Sequence, residues 1–389
     1  MESNDLITPF MMVTRPTDGK QYLVSRTRKW QTVAISRNGE ESGLHSQIDV
    51  ASNGDSTMAV WVCHYDSGNK PFCERKTVIY ANIYTANWWG SAYIIGEVDA
   101  GFCPSPRVVN CADGGFLVIW HRPGGIYATK HTVGAGWGVT SLIEPQKDGV
   151  SYLQAGINSA GDNLVTWEQT YGAGMRNIYA KVYSKDQWGD TVLLSNHDEI
   201  FVFRGRCRLA DYEDGNFLSA YTRSEDIHVG MYNHKDKLWS RQIFSRAKVG
   251  MIPVIRVVPY ASGNALLAWT WAVDQPHDRG IYSCKYVAGK LGTEDLVEAV
   301  DAQDLQVASY GDSGVVLAWI QSDENISNIY AKVGNANGWS RVNSLGLGGN
   351  NRFCHDAKVV VNNGCPVVIW GESNKKEEAH GIVYASVFA

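Results

Sequence analysis

The chain has 389 residues, of which 44% are hydrophobic and 19% are charged. This composition supplies enough apolar side chains for a large core and excludes a globally disordered protein. The net charge is −5, acidic and basic residues are mixed along the chain, and the lack of a lysine and arginine block argues against a nucleic-acid partner.

Three short strand-like runs precede the main pattern. Met11–Thr14 resembles the second strand of the units described below, Gln21–Val24 the third and Arg28–Ile35 the fourth. Met1–Asp5 is polar and acidic, unlike a signal peptide, and no apolar run approaches the roughly 18 residues of a membrane helix. We therefore expect no membrane span, and a protein that is cytoplasmic or exported without a cleaved N-terminal signal.

The dominant pattern is an apolar run ending in an aromatic anchor that recurs every 47 to 59 residues, from about residue 46 to the C-terminus. The seven runs are Met58–Trp61, Leu117–Trp120, Leu164–Trp167, Leu218–Tyr221, Leu266–Trp269, Val316–Trp319 and Val367–Trp370. Self-similarity with a period of this length indicates a repeat architecture. An anchor at the same place in every unit is expected to pack against the neighbouring unit rather than to bind a ligand.

Each repeat divides into four short strands. An alternating strand and a turn rich in Gly, Asn and Asp precede the anchor run, as in a hairpin. An Ile-Tyr-Ala segment or a relative of it predicts the third strand, and in most units a Trp nine to eleven residues later opens the fourth. Seven such units predict an all-β, seven-bladed β-propeller of four-stranded antiparallel blades.

The two chain ends predict how the ring closes. The last repeat stops after its third strand, and the N-terminal strand, around residues 28–36, supplies a fourth-strand pattern that would complete the last blade. We therefore expect residues 1–389 to form a single propeller domain. The alternative is an incomplete eighth blade built from Met11–Thr14 and Gln21–Val24.

The units resemble Trp-anchored repeats of bacterial β-propeller proteins, the group that includes propeller lectins and the propellers of sialidases. The resemblance covers nearly the whole chain and implies the propeller fold without an activity. No repeat carries the Trp-Asp pair of WD40 proteins. Ser184–Trp188 lies at the turn where sialidases carry a Ser-x-Asp-x-Gly-x-x-Trp box, but it lacks the Gly and the Trp spacing.

The sequence offers no signal for a cofactor or a metal site. None of the eight Cys forms a CxxC pair, and there is neither a Gly-rich phosphate loop nor a Ser/His/Asp motif. Cys63 and Cys73 flank one predicted loop and could pair in an oxidising compartment, although reduced thiols are the favoured interpretation. We expect no cofactor and assign no catalytic residue.

Binding residues are expected where the repeats differ, in the loops after the second strands and between blades, which share one face of a propeller. We call it the loop face. The candidate binding residues there are Trp271, His121, Arg122, Glu168, Tyr171, Arg352, His355 and Glu372. His64 and His277 belong to the wider set. Aromatic faces flanked by Arg, His and carboxylates suit sugar rings, whose C–H faces stack while their hydroxyl groups form hydrogen bonds.

We therefore expect a non-enzymatic, carbohydrate-binding, lectin-like propeller, with a glycan or a protein as partner and the oligomeric state left open. One alternative is a protein–protein scaffold or secreted effector. The other is a sialidase-like glycoside hydrolase, which needs two carboxylates roughly 5–9.5 Å apart near the axis. Glu168 and Glu372 could converge there, but Asp66, Asp274 and Glu324 are equally available. The divergence between repeats argues against seven equal sugar sites.

Overall fold

The computed structural model describes residues 11–14, 21–24, 30–36, 43–65, 76–85, 88–98, 102–146, 149–171, 175–193, 208–212, 216–223, 226–233, 235–236, 238–244, 254–260, 264–271, 280–287, 290–311, 313–323, 326–335, 338–346, 353–373 and 381–388. All regular secondary structure in these ranges is β-strand. No helix in them is long and apolar enough to cross a membrane.

The N-terminal part contains a hairpin and one further strand. The strands are β1 (Met11–Thr14), β2 (Gln21–Val24) and β3 (Trp30–Ala34). β1 and β2 pair antiparallel with each other as a two-stranded sheet.

Seven larger sheets, here called blades one to seven, follow in chain order within the described ranges. The strands of the first three blades are β4 (Gly43–Ser52), β5 (Ser56–Tyr65), β6 (Thr77–Thr85), β7 (Trp88–Trp89) and β8 (Tyr93–Val98); β9 (Arg107–Asn110), β10 (Phe116–Arg122), β11 (Gly124–Thr132), β12 (Gly136–Trp137) and β13 (Ser141–Gln146); β14 (Val150–Ile157), β15 (Asn163–Tyr171), β16 (Met175–Ser184), β17 (Gln187–Trp188) and β18 (Val192–Leu193).

The remaining four blades repeat this order. Their strands are β19 (Arg208–Tyr212), β20 (Asn216–Arg223), β21 (Asp226–Asn233) and β22 (Leu238–Phe244); β23 (Val254–Pro259), β24 (Ala265–Trp271), β25 (Gly280–Val287) and β26 (Lys290–Glu298); β27 (Ala302–Tyr310), β28 (Gly314–Asp323), β29 (Ile326–Asn335), β30 (Gly338–Trp339) and β31 (Asn343–Ser344); β32 (Phe353–Asn362), β33 (Cys365–Ser373) and β34 (Gly381–Phe388).

The blades form a closed ring. Each first strand contacts the first strand of the next blade, in the cyclic order β4, β9, β14, β19, β23, β27, β32 and back to β4. β3 pairs antiparallel with β34, from Trp30 opposite Phe388 to Ala34 opposite Tyr384, and so becomes the fourth strand of blade seven. The predicted β-propeller and its closure by the N-terminal strand are confirmed. The ring closes directly between blades seven and one, so β1 and β2 do not add a blade to it.

The fourth strands differ from the prediction in one respect. In blades one, two, three and six the fourth strand is split into a two-residue segment ending in Trp and a second short segment, and both pair with the third strand. In blade two, for example, Gly136–Trp137 and Ser141–Gln146 both pair with β11. The Trp pattern therefore marks the start of the outer edge correctly but does not indicate the interruption that follows.

The aromatic anchors form the core between blades. Trp319 is 1% exposed and packs with Leu266 and Ala268 of the preceding blade. Across its own sheet Trp319 pairs with Tyr330 of the Ile-Tyr-Ala segment, with ring centroids 6.0 Å apart and planes 22° from parallel. The same stacked pair recurs in blades one, three, five and seven. The two strongest sequence signals are therefore cross-strand partners. The expected packing role is confirmed for the six Trp anchors, whereas the side chain of Tyr221 is outside the described set.

Polar side chains two residues after the third-strand Tyr fasten neighbouring blades at the outer edge. Lys181 donates to the Ile143 carbonyl at 2.7 Å in blade two, and Lys332 donates to the Val297 carbonyl at 2.8 Å in blade five. In blade one Asn82 takes this position and donates to the Ile35 carbonyl at 2.8 Å. Asn82 therefore secures the segment directly after the closing strand.

Replacing Trp319 by alanine should show how much one anchor contributes. The substitution empties a buried site between two blades, so we expect the free energy of unfolding to fall by about 3–5 kcal/mol in guanidinium denaturation. Trp88→Ala is the matched control, because Trp88 is 56% exposed and its loss should cost less than about 1 kcal/mol. Equal destabilisation by the two substitutions would contradict the anchor role.

Two truncations should separate the hairpin from the closing strand. Removal of residues 1–25 takes away β1 and β2 but leaves β3, so we expect a soluble protein with nearly unchanged thermal stability. Removal of residues 1–36 also deletes β3, exposes the edge of β34 and should cause aggregation or a large loss of melting temperature. A stable monomer after the longer truncation, judged by light scattering, would refute closure by β3.

Candidate functional site

The first strands are bulged where they pass the anchors. Residues with positive φ occur at Gln47 (53°), Ser105 (42°), Tyr152 (50°), Asp304 (47°) and Asp356 (53°). In blades one, three, six and seven the strand register shifts at this point, so that two residues of the first strand oppose one anchor. Ser105 occupies the same place just before β9. These positions surround the mouth of the ring on the loop face.

Hydrogen bonds between adjacent blades connect these bulges. The Gln47 N–H donates to Asp356 Oδ2 at 2.9 Å, and Ser105 Oγ donates to Gln47 Oε1 at 3.1 Å. Just below them, the Val108 N–H donates to Asp49 Oδ2 at 3.0 Å. Polar side chains of one blade thus satisfy backbone groups on the inner edge of the next. The result is a polar girdle along the part of the mouth that blades seven, one and two form.

His355 and Asp356 lie side by side in this girdle. His355 Nδ1 is 3.4 Å from Asp356 Oδ2, and the Asp356 side chain is 34% exposed. Partial burial acts to raise the pKa of Asp356, but the hydrogen bond to His355, the charges of Lys358 and His355, and the Gln47 N–H lower it to about 2. The carboxylate is therefore ionised at neutral pH, where it offers an anionic acceptor at the mouth.

Gly371 leaves the space that the His355 ring occupies. A Cβ built on Gly371 would lie 2.2 Å from Cε1 of His355, so no larger residue fits while the ring keeps this position. His355 and Gly371 are register partners, and Cys354 pairs with Glu372. The structure therefore brings two predicted residues, His355 and Glu372, onto adjacent strands of blade seven, one register step apart.

His121 and Arg122 end the second strand of blade two. The His121 ring packs edge-on against Phe102 with centroids 4.9 Å apart, and its Nδ1 is buried without a hydrogen-bond partner among the described residues. Burial lowers the pKa of His121 to about 4; the Pro104 carbonyl opposes this shift and the charge of Arg107 adds to it. The Arg122 guanidinium carbon lies 3.9 Å from the centroid of the Tyr127 ring, in a cation–π contact.

Glu168 and Glu372 are the two acidic side chains that are buried within the described part of the chain, at 4% and 5% exposure. Both lie at or near the loop-face end of a second strand, in blades three and seven. Glu168 lies one residue after its anchor Trp167, whereas Glu372 lies two residues after its anchor Trp370. Because successive side chains alternate along a strand, Glu372 points to the same face of its sheet as the anchor and Glu168 points to the other face. Carboxylates are rarely buried in proteins, and burial of this kind is concentrated at functional sites.

The other predicted residues are described less fully. Trp271 and Tyr171 end the second strands of blades five and three, opposite Gly280 and Met175 respectively, but their side chains are outside the described set. Arg352 and His277 lie outside the described residues, as does Cys73, which would pair with Cys63 only under the less favoured disulfide interpretation. His64 is 1% exposed, with its ring nitrogens 3.0 Å from Thr77 Oγ1 and 3.3 Å from Ser46 Oγ, so it has a packing role.

The sequence did not reveal Gln47, Ser105 and Asp356 as members of the girdle. No glycine marks their positive φ angles, and a bulge adds only one residue to an alternating strand. The sequence feature that came nearest to marking these residues was the irregular length of the connections before the first strands of blades two and seven. Among the described residues, no group of three His, Cys, Asp or Glu side chains is placed to hold a metal ion.

The titration of His121 should affect stability in a defined pH range. Its folded-state pKa of about 4 lies below the ordinary value of about 6.5, so the unfolded chain binds a proton that the folded chain does not. The free energy of unfolding should therefore fall as the pH decreases from about 6.5 to 4. His121→Gln should flatten this dependence in denaturation curves, whereas an unchanged slope would contradict the burial of a neutral imidazole.

Comparisons with known proteins establish the fold. No protein-family model and no curated protein sequence matches the chain. Among solved structures, an ulvan lyase bound to -[GlcA(1-4)Rha3S]- is similar with a TM-score of 0.59 and 11% identity, over 91% of this chain and 95% of that chain. The intramolecular trans-sialidase from Ruminococcus gnavus is similar with a TM-score of 0.51 and 9% identity, over 91% and 95% of the two chains.

A fungal alcohol oxidase in complex with copper is also similar, with a TM-score of 0.59 and 13% identity over 94% of this chain and 76% of that chain. The three proteins are named for a lyase, a trans-sialidase and an oxidase activity, so one architecture serves different chemistries. At these identities the likeness concerns the fold alone. The chain is a β-propeller whose structural neighbours include carbohydrate-active enzymes.

Proposed function

We propose that this protein binds a carbohydrate at the mouth of the ring on the loop face. The observation that carries the proposal is the burial of Glu168 and Glu372 at the loop-face ends of two second strands. A carboxylate held in place by its surroundings can accept hydrogen bonds from the hydroxyl groups of a sugar. Rigid strands hold these groups in place before a ligand arrives, which lowers the entropic cost of binding.

The surrounding side chains support a polar ligand with an extended contact surface. The girdle formed by Gln47, Ser105 and Asp356 offers hydroxyl, amide and carboxylate groups. Arg122, His121 and His355 lie on the same face and add donors that suit hydroxyl or acidic substituents. The structural neighbours named as a sialidase-type enzyme and a polysaccharide lyase support the same ligand class. The site is asymmetric, because these residues come from different positions of different blades.

The same two carboxylates favour a second candidate, a glycoside hydrolase. Such an enzyme needs two carboxyl groups about 5–9.5 Å apart on either side of the scissile bond. Glu168 and Glu372 belong to non-adjacent blades and leave opposite faces of their sheets. Binding without turnover is therefore the leading proposal, with hydrolysis as the outcome to be tested directly.

A glycan array that includes neutral, sialylated, uronic and sulfated oligosaccharides tests the proposal on the full chain. We expect saturable binding to one glycan class, weakened at least about tenfold by Glu168→Gln or Glu372→Gln, since each substitution removes a charged acceptor. Asp295→Asn is the matched control, because this exposed carboxylate lies on outer strand β26. Melting temperatures should accompany each variant.

Two outcomes would redirect the proposal. A silent array would overturn carbohydrate binding for the glycans tested and would favour a protein partner, as in the scaffold alternative. Release of a shorter glycan during incubation, detected by mass spectrometry and abolished by Glu168→Gln or Glu372→Gln, would establish the hydrolase instead.

A further inference from the structure

A second cleft lies between blades one and two, at the end of the ring opposite to the loop face. Its volume is about 370 Å³, within the usual range for small-ligand pockets of roughly 300–1,000 Å³. The starts of strands β5 and β10 and the ends of the third strands β6 and β11 line the cleft. Its lining residues include Asn82, Ser91, Tyr93, His131, Val133 and Trp137. It shares no residue with the loop-face site.

Aromatic rings from both blades form one side of the cleft. The rings of Tyr93 and Trp137 are 10° from parallel, with centroids 6.2 Å apart, and His131 meets Trp137 edge-on at 5.1 Å. Tyr93 is 56% exposed and Val133 64% exposed. Tyr93 belongs to β8 and Trp137 to β12, so this shelf exists only because the two blades pack together. It presents fixed aromatic surface to solvent.

Polar atoms also line the cleft. Asn82 is 2% exposed, and its Nδ2 donates to the Ile35 and Gly90 carbonyls at 2.8 and 3.0 Å, which fixes the orientation of the amide. Its Oδ1 has no hydrogen-bond partner among the described residues, and neither has Nδ1 of His131. Buried polar atoms are usually hydrogen-bonded in native proteins, so these two unpaired atoms beside the cleft are candidate partners for a ligand or an ordered water.

The chemistry of the lining selects the ligand. None of the described residues that line the cleft carries a formal charge when His131 is neutral, and burial lowers the pKa of that imidazole. A charged sugar or a phosphate would find no counter-charge there. A neutral pyranose fits, because its C–H face has the partial positive charge that an aromatic face attracts, and its hydroxyl groups both donate and accept hydrogen bonds.

We propose that the cleft between blades one and two binds a neutral pyranose residue, which stacks on the Tyr93 and Trp137 shelf and hydrogen-bonds to Asn82 and His131. This site does not depend on the loop-face function and would act beside it. A protein with two carbohydrate sites on opposite faces could hold two parts of one polysaccharide or two separate chains.

Titration of the full chain with methyl glycosides of glucose, galactose, mannose, fucose and N-acetylglucosamine tests the proposal. Calorimetry and ligand-detected NMR would follow binding up to about 50 mM, since a single sugar ring gives only weak affinity. At least one glycoside should bind, and Tyr93→Ala or Trp137→Ala should weaken it about tenfold or more. Trp137→Phe keeps a planar ring and should retain most of the affinity, whereas Trp88→Ala, which removes an exposed ring outside the cleft, should leave it within about twofold.

The outcomes separate the two sites. No binding by any of the five glycosides would overturn the cleft proposal without affecting the loop-face proposal, which concerns larger and acidic glycans as well. If Glu168→Gln abolishes glycoside binding while Tyr93→Ala leaves it intact, the glycoside binds at the loop face. That result would also overturn the cleft proposal. Should Trp137→Ala lower the melting temperature, Tyr93→Ala and Trp137→Phe decide the question.

Discussion

The structure depends on the packing of the Trp anchors of six blades, each against the blade before it. Trp61 packs against Val367 and Ile369 of blade seven, and Trp319 packs in the same way against blade five. Among the described residues, every hydrophobic cluster joins side chains of two neighbouring blades. Stability is therefore a property of the interfaces, as in other repeat proteins, and each blade is held by two of them.

A second constraint acts on the backbone at the centre of the ring. The first strand of each blade has an inner edge with no strand beside it, and its polar groups need partners. Side chains of the preceding blade supply them: Asp49 accepts from Val108, Asp356 accepts from Gln47, and Arg107 Nε donates to the Leu153 carbonyl at 2.8 Å. The polar girdle at the mouth is thus part of the fold as well as of the candidate binding surface. Ligand contacts made there would be supported by groups that the architecture already orders.

The sequence predicted what repeats and missed what depends on contacts between blades. The pairing of Trp319 with Tyr330 lies within one repeat, so a fixed period was sufficient to find both residues. The bulge at Asp356 leaves no mark in residue type, because its positive φ falls on a non-glycine residue. Tyr93 and Trp137 belong to different repeats and meet only through blade packing, so no local pattern could place them in one cleft. Glu168 and Glu372 were found as polar residues following anchors, while their burial became visible only in the structure.

The closing strand also has a consequence for how the chain reaches its native state. Thr32 donates to Ser386 Oγ across 354 residues of sequence, so the last blade requires segments from the two extremes of the chain. Contacts of such long sequence separation form slowly, because a very large loop must close before they give any stabilisation. Until then the ring is open, and the faces of blades seven and one expose apolar surface to other molecules. Protection of these two faces during synthesis, by a chaperone or by rapid docking of the blades, would then determine the yield of native protein.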